Sequence, residues 1–444
     1  MGFKKVKLKE VLKQYRVEHI VQNEIEYKQV TISKYDGVTF RGTKIGKDIG
    51  RKRQFVIDLK TYPNTLMLVR QGIQDGSIGI APIEVDGCIA TENMPMFSIE
   101  GINLEYLRFL LKSPYFYDEL NKIETTGSAQ KSIHERQILE IEIPLPSIEE
   151  QKEFVKELTL LKNSGLIISS ELSHQLDLIK QMRQAFLREA MQGKLVKSTK
   201  TKETGQQLLE KIKAEKAQLI ADKKLKKEKE LAPIMEDELP FEIPEHWAWC
   251  RLGEIISHTE NLDIHKKLSS ETIINYVDIA SIDNKNYLIK EVKKSTVEEL
   301  STRARRVLKK DYIIYSTVRP YLKNIAIVEN ELPNFIGSTG FNVFKPINSN
   351  IKYLFYFLLN PDLNKMYEEM MVGFNSPSIT NEQFENTLFP LPPLHEQEQI
   401  VAKLEELMEF CDGLEQSIKD SQGYNEMLLQ QVLREALHNN KKKD

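Results

Sequence analysis

The sequence predicts a mixed α/β protein in which two globules are each followed by a long α-helix, the two helices pairing as an antiparallel coiled coil. Three observations lead there. The chain repeats itself, each repeat carries a heptad pattern, and the stretches ahead of the heptads mix short strand and helix signatures.

The repeat is gapless over about 60 residues. Pro144-Leu145-Pro146 recurs as Pro390-Leu391-Pro392, an offset of 246, which also carries Glu150-Gln151 to Glu396-Gln397 and Val155 to Val401. Leu187-Arg188-Glu189-Ala190 returns as Leu433-Arg434-Glu435-Ala436 in the same register. Upstream, Gly127, Ser132-Ile133 and Gln137 match Gly373, Ser378-Ile379 and Gln383. A shared register of this length marks a duplication.

In the second copy apolar residues stand at Ile400, Leu404, Leu407, Cys411, Leu414 and Ile418, in alternating steps of four and three. The matching positions of the first copy are Phe154, Leu158, Leu161, Gly165, Ile168 and Leu172. This is the seam of a coiled coil, narrower than the stripe of a globular helix. Ser421, Asn425 and Gln175 are softer seam positions, of the kind that sets register at some cost in stability. Ser147 and Glu150 form a capping box at the first helix start, whereas Pro393 replaces that serine in the second copy. Gly193 and Asn439 stand where stops are expected. Each helix then runs about 45 residues, roughly 65–70 Å. Two such helices bury the same seam most simply when antiparallel.

Ahead of each helix, Thr65-Leu66-Met67-Leu68-Val69, Ile78-Gly79-Ile80 and Tyr312-Ile313-Ile314-Tyr315 read as strands bounded by Gly, Asp and Pro. Leu104 to Leu111 and Tyr353 to Leu359 read as helices. The two globules are only faintly alike: Leu8, Glu10 and Val11 echo Leu252, Glu254 and Ile255, and Arg70 echoes Arg319. The expected boundaries are 1–146 and 244–392 for the globules and 147–193 and 393–440 for the helices. Residues 194–243 are expected as a charged, solvated helix over Lys211 to Glu230 and an acidic, proline-bearing linker.

A chain of 444 residues exceeds what one hydrophobic core usually serves, in keeping with several domains. No apolar run approaches a membrane span, and no signal-peptide core follows the basic N-terminus. Cys88, Cys250 and Cys411 lie far apart in no metal-ligand spacing, which suits small buried residues in a reducing cytoplasm. No metal site is expected. The net charge of −3 is mildly against nucleic-acid binding, so any such case rests on local clusters.

No catalytic motif is complete, and no catalytic residue is expected. Gly42-Thr43-Lys44-Ile45-Gly46-Lys47 lacks the ending of a phosphate loop, since Asp48 follows Lys47. The Asn/Asp-Pro-Pro-aromatic signature of amino-methyltransferases is missing, Pro361-Asp362 with Lys365 lacks the strand context of a nuclease, and His395 reads as a surface residue.

Two basic clusters are the positive evidence. Arg41, Lys44, Lys47, Arg51, Lys52 and Arg53 share a stretch with Gly42, Gly46 and Gly50, where a backbone can approach a groove and cations can meet phosphates. Arg303, Arg305, Arg306, Lys309 and Lys310 form a similar run. For both, a solvated loop is the alternative. Arg319-Pro320-Tyr321 with Lys323 follows a predicted strand; its alternative is a structural turn. Because Arg suits guanine and Asn or Gln suits adenine, Arg70, Gln71, Gln74, Gln130 and Lys131 in the first globule are candidate DNA readers. Asn375 and Ser376 are their counterparts in the second.

On the doubled Pro-Leu-Pro and Glu-Gln, on Gly193-Lys194-Leu195-Val196, and on Pro244-Glu245-His246-Trp247 followed by Arg251-Leu252-Gly253-Glu254, the chain resembles the specificity (S) subunit of type I restriction–modification enzymes. The resemblance covers nearly the whole chain, although the first half lacks the Pro-x-x-Trp opening. It implies two target recognition domains separated by a helical ruler, each reading one half of a split, asymmetric DNA site. The implied partners are double-stranded DNA, two modification (methyltransferase) subunits, and through them restriction (motor–nuclease) subunits. S-adenosylmethionine, ATP and magnesium would belong to those partners and no cofactor to this chain. The resemblance also places docking of the modification subunits at the helix–globule junctions, residues 148–155 and 394–401. Competing readings are a coiled-coil scaffold that never touches DNA, a nuclease with a hidden site, and a specificity chain of another restriction class.

Overall fold

The computed structural model describes residues 3–123, 132–197, 203–226 and 229–438. The chain divides into two compact units, residues 1–174 with 418–444 and residues 175–417.

In the first unit, strand Lys5–Lys7 pairs antiparallel with Glu142–Pro144, so the globule opens and closes on one ribbon. Between them lies a four-stranded sheet in the order Leu12–Tyr15, Met96–Ile99, Thr65–Leu68, Ile78–Ile80. A five-stranded sheet follows the order Glu18–Ile20, Arg53–Val56, Ile89–Ala90, Glu26–Ser33, Gly37–Ile45. The apolar run at Thr65–Leu68 has a double use. Leu66 and Leu68 enter a core with helices Leu104–Leu111 and Pro114–Asn121, while Met67 enters the core of the five-stranded sheet. A strand covered on both faces needs no polar alternation.

The second unit repeats the frame. Ala248–Arg251 pairs with Leu388–Leu391, and a four-stranded sheet runs Ile256–His258, Phe341–Pro346, Ile313–Ser316, Ile325–Ile327. Ile313 and Tyr315 face the helices Ile351–Leu358 and Pro361–Met370, and Ile314 faces away. Beyond it, the second sheet has four strands, Lys293–Thr296, Ile273–Val277, Phe335–Ser338 and Ala304–Val307, where the first unit has five. The faint echo of Leu8-Glu10-Val11 in Leu252-Glu254-Ile255 is structural. Lys7 N–H donates to the Glu10 carboxylate at 3.2 Å, and Arg251 N–H to the Glu254 carboxylate at 2.7 Å.

The repeated Glu-Gln also has a physical account. Gln151 is buried; its Nε2 donates to the Pro146 carbonyl at 2.8 Å and its Oε1 accepts from Asn103 N–H at 2.7 Å. Gln397 does the same with Pro392, at 2.9 Å, and Asn350, at 2.8 Å. Asn103 and Asn350 cap the helices whose Tyr106 and Tyr353 hydroxyls donate to Pro144 and Pro390. Each glutamine thus locks a long helix onto its globule through otherwise orphaned backbone groups.

The long helices are Ile148–Met191 and Leu394–His438. Ser147 caps the first as expected, accepting from Glu150 N–H at 3.3 Å. Under Pro393 the second copy turns Glu396 inward instead, fully buried and 2.6 Å from His246 Nε2. Gly193 ends the first helix with φ 70°, and Lys194 N–H reaches back to the Glu189 carbonyl at 2.9 Å. Asn439 lies outside the described residues.

Within the second unit Arg183 meets Asp412 at 2.6 Å and Glu415 at 3.1 Å, while Leu187, Ala190 and Met191 pack in one core with Ile400, Val401 and Leu404. Rising numbers on one helix meet falling numbers on the other, so the pair is antiparallel. The seam of the second copy is buried or half-buried throughout, from Ile400 to Asn425. The first copy departs from expectation: Leu161 and Ile168 are exposed, 42% and 47%, and the covered face passes instead through Gly165, Ser169, Leu172 and Ile179. Asn425 meets that face, its Nδ2 donating to the Gly165 carbonyl and to Ser169 Oγ, both at 2.9 Å.

The charged segment needs correction. Its helix is Gly205–Ala221 and is not solvated all round: Leu208, Leu209 and Ile212 are buried in the core of the second unit. Cys88, Cys250 and Cys411 are all free and buried. Among the described residues no helix is long and apolar enough to cross a membrane.

Candidate nucleic-acid interface

Two segments singled out separately come together in the second unit. Arg319 to Lys323 leaves the strand Ile313–Ser316, and residues 372–378 form a loop closed by ladder bridges of Ser378 with Val318 and with Val372. Arg319 N–H donates to the Pro377 carbonyl at 2.8 Å and its Nη2 to the Asn375 carbonyl at 3.1 Å. Arg319 and Lys323 hold left-handed backbone, φ 48° and 52°, on either side of the turn Pro320–Leu322. Non-glycine residues there cost on the order of 1–3 kcal/mol and persist only where the surroundings over-determine them. The structural turn posed as the alternative at Arg319 is real, and it presents Arg319, Tyr321, Asn375 and Ser376 exposed on one surface. Lys323 is half-buried; burial, with Lys180 adding repulsion, pushes its ammonium below the ordinary lysine value. A phosphate beside it would favour the charged form again.

Arg305 and Arg306 belong to a different sheet, on the strand Ala304–Val307, and Arg303 lies in the turn just before it. Arg303 is exposed, Arg305 lies 3.6 Å from the Asp263 carboxylate, and Arg306 is half-buried with Nη1 on Asn261 Oδ1 at 3.1 Å. Burial lowers the Arg306 guanidinium.

In the first unit the basic cluster is spread along an edge strand and its return. Arg41 and Lys44 lie on Gly37–Ile45, Lys47 on the turn Gly46–Asp48, Arg51 and Lys52 on the connection, and Arg53 opens Arg53–Val56. All six are exposed. The glycine reading is corrected at Gly46, which is buried against the Gln22 carbonyl; a Cβ there would stand 1.9 Å from that oxygen. That glycine serves packing. Arg53 pairs with Glu18, and Lys52 Nζ donates to the Gly46 carbonyl at 2.7 Å.

Arg70 is engaged inside the fold. Its Nε and Nη2 grip the Glu135 carboxylate at 2.8 and 2.9 Å, both side chains being nearly buried, and Arg16 adds a contact at 3.3 Å. Burial pushes the Glu135 carboxyl up more than any one partner lowers it, but the Arg70 hydrogen bonds and charge, a backbone hydrogen bond and the Gln14 amide together hold it below its ordinary value. Gln71 is exposed. Gln74 sits on the turn Ile73–Asp75 and lines a cleft of about 660 Å³ with Lys34, Tyr35, Arg108, Lys112 and Tyr117. Gln130 and Lys131 lie outside the described residues.

Sequence reasoning missed Lys34, Arg108 and Lys112, which reach the cleft from well-separated segments. A clue existed at Asp36-Gly37, a hairpin turn that places Lys34 and Tyr35 at the tip of Glu26–Ser33 and Gly37–Ile45. It also missed Phe374, which stands between Gly373 and Asn375 and is fully exposed. The rejected nuclease pair gains nothing: Pro361–Met370 is a helix, and Asp362 accepts from Arg188 Nε at 3.0 and 3.1 Å.

Fold and surface together define a duplicated α/β protein with two long, pairing helices and cationic turns on its globules. The chain belongs to the family of the type I restriction modification DNA specificity domain, whose model matches residues 2–177 and 244–421. The type I restriction enzyme EcoAI specificity subunit of Escherichia coli is 31% identical over 268 residues, 57% of this chain and 44% of that relative. The EcoDI specificity subunit of the same species is 27% identical over 341 residues, covering 76% of this chain and 69% of that relative. The matched stretch thus spans less than half of EcoAI and of the similar EcoEI subunit. Among solved structures, a chain from work on complex assembly and conformational transition of the type I R-M system superposes with TM-score 0.62 at 18% identity, covering 99% of this chain and 98% of that one. The HsdS subunit from Thermoanaerobacter tengcongensis gives 0.56 at 18%, covering 99% and 97%. At such identity the likeness is one of fold.

Proposed function

We propose that this chain is a non-catalytic DNA-recognition subunit of a type I restriction–modification complex, each globule reading one half of a bipartite, asymmetric site. The observation that carries this is the joining of Arg319, Asn375 and Ser376 on one pinned, exposed surface. Base readers must be held still and must reach past phosphate contacts. In the first globule, Arg41, Lys44, Lys47 and Arg51 and the cleft at Gln74 supply the same chemistry, as does Arg303 in the second.

The partners follow from the family: methyltransferase subunits using S-adenosylmethionine, and restriction subunits using ATP and magnesium, in the cytoplasm where host DNA lies. The junctions at 148–155 and 394–401 hold Phe154, Val155, Ile400 and Val401, whose side chains already pack on the globule cores. Leu160, Leu161, Leu166, Ile167 and Ile168 are exposed further along the first helix. Burying such a side chain yields roughly 1.5–3 kcal/mol, which supports docking of a methyltransferase subunit at the junction 148–155 and along the helix turns that follow it.

The test is to co-express the chain with its methyltransferase and map methylated bases in host DNA. A split motif that depends on this chain establishes the reading. A soluble complex that adds no methylation favours a scaffold. With the motif known, Asn375→Ala is expected to relax one position of one half-site, a discrimination of about 1–3 kcal/mol, with the other half unchanged.

A further inference from the structure

We propose that Phe374 is a stacking residue whose ring wedges against a nucleobase in the half-site read by the second globule. The inference rests on the DNA-reading function above and deepens it. Phe335, Phe341, Phe344, Phe357, Phe384 and Phe389 in the same unit are buried, whereas Phe374 is fully exposed at the tip of its loop.

The tip is presented by a braced frame. Val372 and Ser378 exchange both backbone hydrogen bonds at 3.0 Å, Ile379 N–H donates to the Thr317 carbonyl at 3.0 Å, and Arg319 holds Pro377 and Asn375. The ring therefore stays out of the globule's core. Its neighbours are polar or cationic: Asn375 and Ser376 follow it, and Arg319 reaches the same loop. An aromatic face flanked by a guanidinium and amide groups matches a base stack bordered by phosphates. Every base offers a π-face, and wedge residues enter steps that unstack readily. A protein partner would favour a broader apolar patch; on this loop only Val372 joins Phe374 as an exposed apolar side chain, while Gly373, Asn375 and Ser376 add none. The offset of 246 places Ser128 opposite Phe374 in the first copy, so the wedge belongs to one half-site only.

The experiment uses the full chain assembled with its methyltransferase subunits and a duplex carrying the mapped motif. 2-Aminopurine is placed at successive positions of both half-sites. Apart from the target bases that the methyltransferase subunits flip out of the stack, wild type is expected to brighten the probe at one further step of one half-site. Phe374→Ala should abolish that signal and weaken binding about 10- to 100-fold, with no change in thermal midpoint because no core contact is lost. Phe374→Trp should retain binding, its indole becoming shielded from iodide. Equal affinity and equal brightening in Phe374→Ala overturn the wedge and leave DNA reading intact. Weaker assembly with the methyltransferase at unchanged DNA affinity also overturns it, making Phe374 a protein contact. Failure of wild type to bind any duplex removes the function and the wedge together.

Discussion

Glu135 gathers Arg70, Arg16 and Gln14 around one nearly buried carboxylate, and it separates two arginines that looked alike in sequence. Arg70 and Arg319 both follow a core strand, yet the first faces Glu135 and the second faces outward onto the loop at 375. The deciding partner is 65 residues from Arg70, beyond any local pattern. Arg70→Ala leaves Glu135 charged in a half-dry site and is expected to cost about 2–4 kcal/mol, read by denaturant unfolding. The Glu135 carboxyl is depressed in the folded state, so its contribution is full above the ordinary glutamate range. It fades as pH falls through the depressed value. An acid unfolding series should therefore show a low-pH loss in wild type that is missing in Glu135→Gln.

At the scale of elements, periodicity exposed most of what periodicity can encode. The strands at Thr65 and Ile78 and the helix at Leu104–Leu111 appear where apolar spacing places them, as does the second seam. In the first seam Leu161 and Ile168 are exposed, while Asn425 satisfies the Gly165 carbonyl and Ser169 from the other helix. Counting apolar residues cannot register a hydrogen bond across helices. Asn425→Leu is expected to raise the thermal midpoint while loosening register. Engineered cysteine pairs one heptad out of step should then cross-link in the variant and remain reduced in the parent. The helix Gly205–Ala221 was misjudged for a different reason: the lysine run from Lys223 to Lys229 lies beyond it in the sequence, and within it Leu208, Leu209 and Ile212 share one narrow face.

For the molecule as a whole, duplication was the most legible property, since a constant offset needs no energetics to detect. The contents of each globule were not legible, because long-range strand pairing and loop placement set them. If helix length measures the DNA, removing seven residues from each long helix should change the number of unread base pairs between half-sites. Methylation mapping of that variant reports it directly, and an unaltered gap would exclude the helices as a measure. A separate consequence follows from Gly205. It is packed so closely that a Cβ would stand 2.2 Å from the Leu391 carbonyl, and its N–H donates to the His246 carbonyl at 2.8 Å. The stretch between the repeats is therefore covalently a connector but physically a part of what comes after it. Two fragments divided between Lys197 and Glu203 keep the helix Gly205–Ala221 with the core it fills, but Leu187, Ala190 and Met191 belong to that core too, so it closes only when both fragments are present. A cut after Ala221 would leave the plug on the wrong fragment, and the downstream half would refold only when its severed piece was supplied in trans.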